Sequence, residues 1–281
     1  MVFTKSALRA PVLIAAALAA VSLGGCSFFR REPPRTVVQE RSPELLYAEG
    51  TRRLDAREWG NAVVYLQEVE RQHPYSEWSR RAILMQAYAY YSAGAYAEAI
   101  SAADRFIQLY PGNPSTPYAF YLKAQCYFEQ ILDVGRDQAA TEQARAAFED
   151  VVRRFPATPY AADARLKLDM IRDQLAGKEM EVGRYYLREG QTLAAMNRFR
   201  RVVEQYQTTS HVPEALYRLV EADLTMGMTQ DATRNGAVLG ANFPGSSWYA
   251  DAYALLTDRG FQPTVAPQRE TRSIFRRLRG G

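Results

Sequence analysis

Apolar side chains return at helical spacing along most of this chain. In one clear example, Ile83, Ala87 and Tyr90 follow one another at intervals of four and three residues, which places them on one side of a helix. Alternating runs of β-branched residues, which would indicate strands, never exceed a few positions. The pattern therefore predicts an all-α fold.

The predicted helices recur with a shared ending. Five segments finish on similar four-residue strings, whose last positions are Pro74, Pro111, Pro156, Gln207 and Pro244. Alanine stands twelve residues before each last position, and an apolar residue stands five before it. Three segments also place glycine seventeen residues before the end, at Gly94, Gly190 and Gly227. Glycine is the residue that commonly ends a helix, here the first helix of each segment. Alanine allows the two helices to cross closely, and proline, which cannot continue a helix, follows the second one. Each segment therefore predicts an antiparallel helix pair.

This pattern resembles the tetratricopeptide repeat, whose period is 34 residues. The resemblance implies an α-solenoid of about five helix pairs, in which each pair buries its apolar face against its neighbours. The five ends are separated by 37, 45, 51 and 37 residues. The second interval predicts an insertion near residues 132–140. The third predicts a long first helix over about residues 161–189, with Gly177 as the point where it would break.

The N-terminus has the features of a secretory signal over residues 1–25. Lys5 and Arg9 are followed by an apolar stretch that is too short to span a bilayer. The string Leu23-Gly24-Gly25-Cys26 resembles the bacterial lipobox. That resemblance implies S-diacylglycerol and N-palmitoyl groups on Cys26, and the following serine favours the outer membrane. The alternatives are an ordinary signal with a chance cysteine, or a single membrane anchor.

Composition divides the rest of the chain and limits its partners. Residues 26–42 are predicted to be the lipidated N-terminus and linker, 43–261 the repeat domain, and 262–281 a basic C-terminal tail. Two of the 35 basic side chains lie in the signal and five in the tail, which leaves 28 against 30 acidic ones. No basic stripe crosses the repeats, so we predict no nucleic-acid partner.

Candidate chemistry is sparse. Cys126 lies among apolar helical positions and is predicted to be a buried thiol; only His73 and His211 could serve as a histidine base, and both lie beside turn signals. Motifs for nucleophilic, phosphate-binding or metal-dependent catalysis do not occur. We therefore predict a protein that is not an enzyme and that needs no metal or cofactor beyond the lipid on Cys26.

Several strings are more particular than the repeat pattern: residues 88–91, 143–148, 185–186 and 194–198. Together with the lipobox and the repeats they resemble the BamD family, the tetratricopeptide-repeat lipoproteins of the outer-membrane barrel-assembly machinery. The resemblance implies a lipid-anchored scaffold on the periplasmic face of the outer membrane. Its partners would be the POTRA domains of the barrel-forming subunit, other assembly lipoproteins and unfolded outer-membrane proteins.

Two other functions remain open at this point. One is a periplasmic tetratricopeptide-repeat adaptor that coordinates cell-envelope synthesis; such proteins often carry a coiled coil and lack a lipobox, whereas this chain has a lipobox and no heptad run. The other is a glycan hydrolase within a repeat scaffold, which would need a pair of carboxylates in a cleft.

The repeat register predicts a peptide-binding groove on the first helices. Its residues would be Leu84, Tyr88, Tyr91, Tyr118, Tyr121 and Phe128. Tyrosine has a large apolar face and a polar tip, which suits it to gripping peptides. The alternative is that these rings belong to the core between repeats. Tyr47 is assigned to the core, on one stripe with Gly50 and Leu54.

A second candidate site is the pair Asn197-Arg198. Phe199 falls at a core position, so Arg198 should point about 100° away from it and contribute little to the stability of the solenoid. The family resemblance implies that this pair contacts a POTRA domain of the barrel-forming subunit, with Arg198 in an ion pair. The alternative is a solvated arginine beside Arg200 and Arg201.

Overall fold

The computed structural model describes residues 41–261, and within that range every regular element is a helix. In chain order the eleven helices are α1 (Pro43–Asp55), α2 (Trp59–Gln72), α3 (Glu77–Ser92), α4 (Tyr96–Leu109), α5 (Thr116–Phe128), α6 (Ala139–Arg154), α7 (Pro159–Arg188), α8 (Thr192–Gln205), α9 (Val212–Thr225), α10 (Thr229–Asn242) and α11 (Ser247–Asp258). Each of α1 to α10 packs along the next helix, while α11 packs on α9 and α10. The predicted α-solenoid of helix pairs is confirmed.

The second helix of every pair ends in the same way. In the first pair, the backbone N–H of His73 donates to the carbonyl of Val69 at 2.9 Å, and His73 then leaves the helix at φ −134°. Proline follows, and since it has no N–H and clashes with a preceding turn, it cannot extend the helix. Equivalent bonds close the helices at Tyr110, Phe155, Tyr206 and Phe243. The apolar residue five positions before each segment end thus has two roles: its carbonyl accepts the hydrogen bond that closes the helix, and its side chain is buried.

In four of the five pairs, the turn between the two helices contains a left-handed residue. Gly94, Gly190 and Gly227 have φ values of +75°, +72° and +76°. In the first pair the same position, seventeen residues before Pro74, is held by Arg57 at φ +58°. A Cβ makes this conformation unfavourable, which explains why glycine marks the position in three repeats.

Small residues set the distance between the paired helices. The five recurring alanines are fully buried: Ala62, Ala99, Ala144, Ala195 and Ala232. Gly183 also allows α7 to approach α8 closely, since a Cβ there would lie 2.5 Å from the Phe199 ring. Close crossing therefore depends on the absence of side-chain volume at these points.

Helix α7 differs from the expectation in one respect. It is long, as the interval predicts, but it continues through Gly177 without a break, so the expected break is wrong. Gly177 lies in a tight packing contact: a Cβ there would lie 3.1 Å from Nε2 of His211. The first half of α7 contacts α5 and the second half contacts α9, as the bonds Tyr121–Asp163 and Arg184–Glu214 illustrate.

The predicted signal, Cys26 with most of its linker, and the basic tail at 262–281 lie outside the described residues. Within residues 41–261, no helix has both the length and the apolar character needed to cross a membrane.

Candidate functional site

The predicted groove residues lie on adjoining first helices. Helices α1, α3, α5 and α7 each contact the next one in this series, so their exposed sides form one surface. The five predicted rings on α3 and α5 are all half-buried, whereas Leu84 is buried. Tyr88, Tyr91 and Tyr118 rest on the core formed by Ala87, Ala102, Ala103 and Leu122. We call the half-buried rings Tyr88, Tyr91, Tyr118, Tyr121 and Phe128, together with Tyr160, the aromatic surface.

Tyr160 joins the aromatic surface from the first turn of α7. Its ring centroid lies 5.6 Å from that of Tyr118 and 5.4 Å from that of Tyr121. The sequence prediction did not include this residue, because the predicted groove covered only the second and third repeats. Its place next to Pro159, after a repeat ending, was the only available signal.

Acidic and basic groups surround the rings. The Tyr121 hydroxyl donates to Asp163 at 2.5 Å, and the Tyr91 hydroxyl donates to Glu129 at 3.3 Å. Lys167 Nζ lies 4.7 Å from the centroid of the Phe128 ring, a cation–π distance.

Burial raises the pKa of Tyr118 well above its usual range. Burial also raises the pKa of Tyr121, and its hydrogen bond to Asp163 adds to that effect. Both hydroxyls are therefore neutral donors at physiological pH. The surface offers apolar ring faces with polar tips.

Both expectations for the rings describe part of the structure. One side of each ring packs on the core, which is the core alternative, and the remainder is accessible, which is what a groove requires. Truncating a ring would therefore affect stability as well as any binding. Peptide binding itself stays a prediction.

A cavity of about 450 Å³ adjoins the aromatic surface at Leu84. Its floor is apolar and consists of Tyr47, Leu84, Met85 and Phe106. The side chains of Arg80 and Arg81 line it from α3, and Asn113 lines it from the turn before α5.

The assignment of Tyr47 to the core is wrong. The buried stripe of α1 is Leu46, Gly50 and Leu54, one position away from Tyr47. Tyr47 is half-buried, stacks on Trp78 with centroids 5.1 Å apart, and borders the cavity. The sequence could not separate the two positions, because residue 46 lies four positions before Gly50 and residue 47 lies three before it, and both spacings place a residue on the same side of a helix.

Arg198 lies on α8 beside the fully buried Phe199, while Asn197 is exposed. Its Nη1 donates to Oε2 of Glu179 on α7 at 3.0 Å. Nη1 of Arg201 donates to the other oxygen of Glu179 at 2.8 Å. The hydrogen bond to Glu179 raises the pKa of Arg198, which remains charged.

Arg198 therefore forms an ion pair between α7 and α8 that the sequence did not predict, while its small contribution to the stability of the solenoid stays a prediction. Glu179 is only 13% exposed and Arg198 is 34% exposed. Sequence reasoning missed Glu179 because the two residues are 19 positions apart, across a turn. The exposed part of the guanidinium remains accessible to a partner.

Cys126 is completely buried, as predicted, and burial raises the pKa of its thiol to about 12. Such a thiol is neither ionised nor accessible at neutral pH. In the part of the chain that the structure describes, no three His, Cys, Asp or Glu side chains converge in a way that could hold a metal ion.

Comparison with known proteins gives a consistent set of relatives. Residues 39–257 match the YfiO family, described as an outer membrane lipoprotein. The chain is 64% identical over 259 residues to outer membrane protein assembly factor BamD of Caulobacter vibrioides, covering 92% of this chain and 85% of that one. It is 43% identical over 234 residues to BamD of Rickettsia prowazekii, covering 83% and 92%. Among solved structures, the TPR2AB-domain complex of yeast Sti1 aligns at a TM-score of 0.45 and 12% identity, covering 78% and 85%.

Proposed function

The chain belongs to the BamD family of outer-membrane protein assembly factors, and from that premise we propose that it is the lipid-anchored scaffold subunit of the β-barrel assembly complex. Its role lies in outer-membrane protein assembly. In the proposed arrangement it stands on the periplasmic face of the outer membrane. There it docks on the POTRA domains of the barrel-forming subunit, beside other assembly lipoproteins, and binds unfolded outer-membrane proteins.

The aromatic surface is the observation that carries the substrate part of this proposal. It presents six half-buried rings from three neighbouring first helices. Strands of outer-membrane barrels alternate apolar and polar residues and carry aromatic girdles. An extended barrel strand therefore exposes aromatic side chains on one face. Stacking or edge contact with a ring contributes about 0.5–1.5 kcal/mol beyond area burial.

A titration with a peptide of alternating sequence that ends in phenylalanine tests this part. Replacing Tyr88 and Tyr91 together by alanine should weaken binding by about 1–3 kcal/mol, the sum of two such contacts. Tyr90 offers a matched control on the same helix, because it is also half-buried but its hydroxyl bonds Gln67 on α2.

Tyr90→Ala should lose comparable stability and keep its affinity for the peptide. Equal affinities in the wild type and a folded Tyr88/Tyr91 variant would show that the rings serve only the core.

Docking on the barrel-forming subunit is proposed to involve Asn197 and Arg198. The guanidinium of Arg198 has five N–H donors, and Glu179 accepts a hydrogen bond from only one of its nitrogens. The exposed donors are suited to a carboxylate on the partner. Arg198→Glu should weaken binding to isolated POTRA domains by about 30-fold or more, as expected when one member of a desolvated pair is removed.

Arg201→Glu is the matched control for docking, because Arg201 bonds the same Glu179 and is more exposed. It should disturb Glu179 similarly while binding persists. Wild-type affinity of the Arg198→Glu protein would remove this residue from the interface.

Attachment to the membrane is proposed to depend on Cys26. Stable anchoring needs more than one acyl chain, and a cysteine carrying diacylglycerol and palmitate meets that condition. Cys26→Ala should abolish incorporation of a labelled fatty acid and release the protein from the outer-membrane fraction. A variant that still carries label and still sediments with outer membrane would contradict the anchor.

A further inference from the structure

A crevice in the C-terminal part of the solenoid lies between α8 and α10. Helix α9 packs along both of these helices and forms the floor of the crevice. The charged and polar side chains that line it are Arg200 and Glu204 from α8, Asp223 from α9, and Asp231, Arg234 and Asn235 from α10. Its volume of about 190 Å³ is below the range of about 300–1,000 Å³ that is usual for small-molecule pockets, so its size suits a single side chain.

The floor of the crevice contains a buried carboxylate oxygen that lacks a hydrogen-bond donor. Asp223 is only 1% exposed. Its Oδ2 accepts a bond from Nδ2 of Asn235 at 2.8 Å, but its Oδ1 has no partner between residues 41 and 261. Burial raises the pKa of this carboxyl even though Asn235 donates to it. A buried carboxylate oxygen without a donor is costly, so the crevice is suited to a donor from outside the described residues.

The crevice also has an excess of negative charge. Three carboxylates and two guanidinium groups line it. Asp231 forms an ion pair with Arg234 along α10, which leaves Asp223 and Glu204 opposite Arg200. Arg200, Glu204 and Arg234 are exposed, so their side chains can change rotamer and admit another group. The group that complements this crevice therefore carries a positive charge.

The described part of the chain ends next to this crevice. Phe261 packs against the apolar cluster that contains Leu224 and Ala232. Leu224 directly follows Asp223, and Ala232 directly follows Asp231. Residues 262–268 can span about 23–25 Å when extended, which is more than the width of about 10–12 Å of one helix. The residues from Arg269 onwards can therefore reach the crevice.

The tail at residues 262–281 has the charge that the crevice lacks. It contains five arginines, at positions 269, 272, 276, 277 and 279, and a single acidic residue, Glu270. A guanidinium presents five N–H donors in a planar fork, so one arginine can donate to two neighbouring carboxylates. Hydrogen bonds between ionised groups are stronger than those between neutral ones.

We propose that the basic tail folds back onto this crevice and places one of its arginines against Oδ1 of Asp223 and the carboxylate of Glu204. The contact lies within one chain, and it is separate from the proposed docking at Arg198, whose ion pair is with Glu179 on α7. Terminal repeats of a solenoid have a neighbour on one side only and need an additional cap. The tail would supply such a cap to the last helix pairs.

A double-mutant cycle in the purified, lipid-anchored full chain tests this contact. In the tail variant, glutamine replaces all five arginines between residues 269 and 279. Urea denaturation at pH 7 and low salt gives the unfolding equilibrium constant of wild type, Asp223→Asn, the tail variant and their combination. Asp223→Asn should lower this constant in both backgrounds, because it removes a buried charge. The reduction should be about tenfold greater in the tail variant, because in wild type the same substitution also removes the arginine contact.

Asp258→Asn is the matched control, because Asp258 is exposed at the end of α11 and is closer to the tail in sequence. Its effect should differ by less than twofold between the two backgrounds. A difference of less than twofold for Asp223→Asn would overturn the proposal. Equal differences at Asp223 and Asp258 would also overturn it, because they would show a diffuse attraction between the tail and acidic groups.

Photo-crosslinking locates the tail directly. A photoreactive phenylalanine derivative in place of Phe275 should form adducts with residues 200–235, identified by mass spectrometry, and the combined variant Glu204→Gln/Asp223→Asn should lose most of them. Mixing isotopically labelled and unlabelled protein distinguishes adducts within one chain from adducts between copies. Adducts only with lipid, or only between copies, would overturn the proposal and place the tail on the membrane or on a neighbouring molecule.

Discussion

Replacing Arg198 tests the contact between α7 and α8. Glu179 receives Nη1 of Arg198 at 3.0 Å and Nη1 of Arg201 at 2.8 Å. Arg198→Ala removes one of these partners and leaves the other, so Glu179 stays paired. Arg198→Glu removes the partner and also brings a second carboxylate towards Glu179.

The two changes should differ in cost. An ion pair with one partner a third exposed contributes about 0.5–1 kcal/mol, which is the loss expected for Arg198→Ala. Two like charges about 5 Å apart in a partly solvated site repel by about 1–2 kcal/mol. Arg198→Glu should therefore destabilise by about 1.5–3 kcal/mol, which lowers Tm by about 3–12 °C in a domain of this size.

Thermal melting monitored by circular dichroism measures both effects. The same substitution should also be measured in a Glu179→Gln variant, which lacks the negative charge that would repel the new carboxylate. In that variant, the loss of stability caused by Arg198→Glu should largely disappear. An Arg198→Glu protein that melts together with wild type would show that the pair does not stabilise the fold. The melting data also separate a docking defect from loss of structure in the POTRA binding assay.

Three further substitutions test the packing. Gly183→Ala should cost about 1–3 kcal/mol in urea denaturation, because its Cβ would lie 2.5 Å from the Phe199 ring; an unchanged midpoint would contradict the close crossing. Cys126→Ser should cost about 1–3 kcal/mol, and the native thiol should resist alkylation at neutral pH because it is buried and its pKa is about 12; rapid alkylation would refute its burial. Burial raises the pKa of Asp223, whose Oδ2 accepts a bond from Asn235 while Oδ1 has no partner in the described residues. A raised folded-state pKa means that stability is lost as the pH rises through it, so Asp223→Asn should stabilise the protein at pH 7, and this gain should shrink towards about pH 4. A gain that is equal at both pH values would contradict the buried charge.

Repeat chemistry made the fold predictable from sequence. The position of Pro74 and its equivalents follows from local rules, since a proline cannot extend a helix and a left-handed turn favours glycine. Gly94, Gly190 and Gly227 consequently mark real turns. The same rule fails at Gly177, which predicted a break. The helix continues there, and Gly177 lies against His211, which is 34 positions further along the chain.

The candidate sites were less predictable because they depend on contacts between repeats. The aromatic positions on α3 and α5 were predicted from the register, whereas Tyr160 on α7 lay outside the predicted groove, which ended at α5. Likewise, the sequence placed Arg198 beside a core residue without revealing Glu179 across the turn.

Site-specific photo-crosslinking in intact cells tests the central claim most directly. A photoreactive phenylalanine derivative in place of Tyr88 puts the probe on the aromatic surface. The same photoreactive amino acid in place of Tyr90 puts the probe on the side of α3 that faces α2. The account predicts adducts with newly exported outer-membrane barrel proteins at position 88, identified by mass, which fade when synthesis is stopped and are weak at position 90. No barrel-protein adduct at position 88, or equal yields at the two positions, would contradict it.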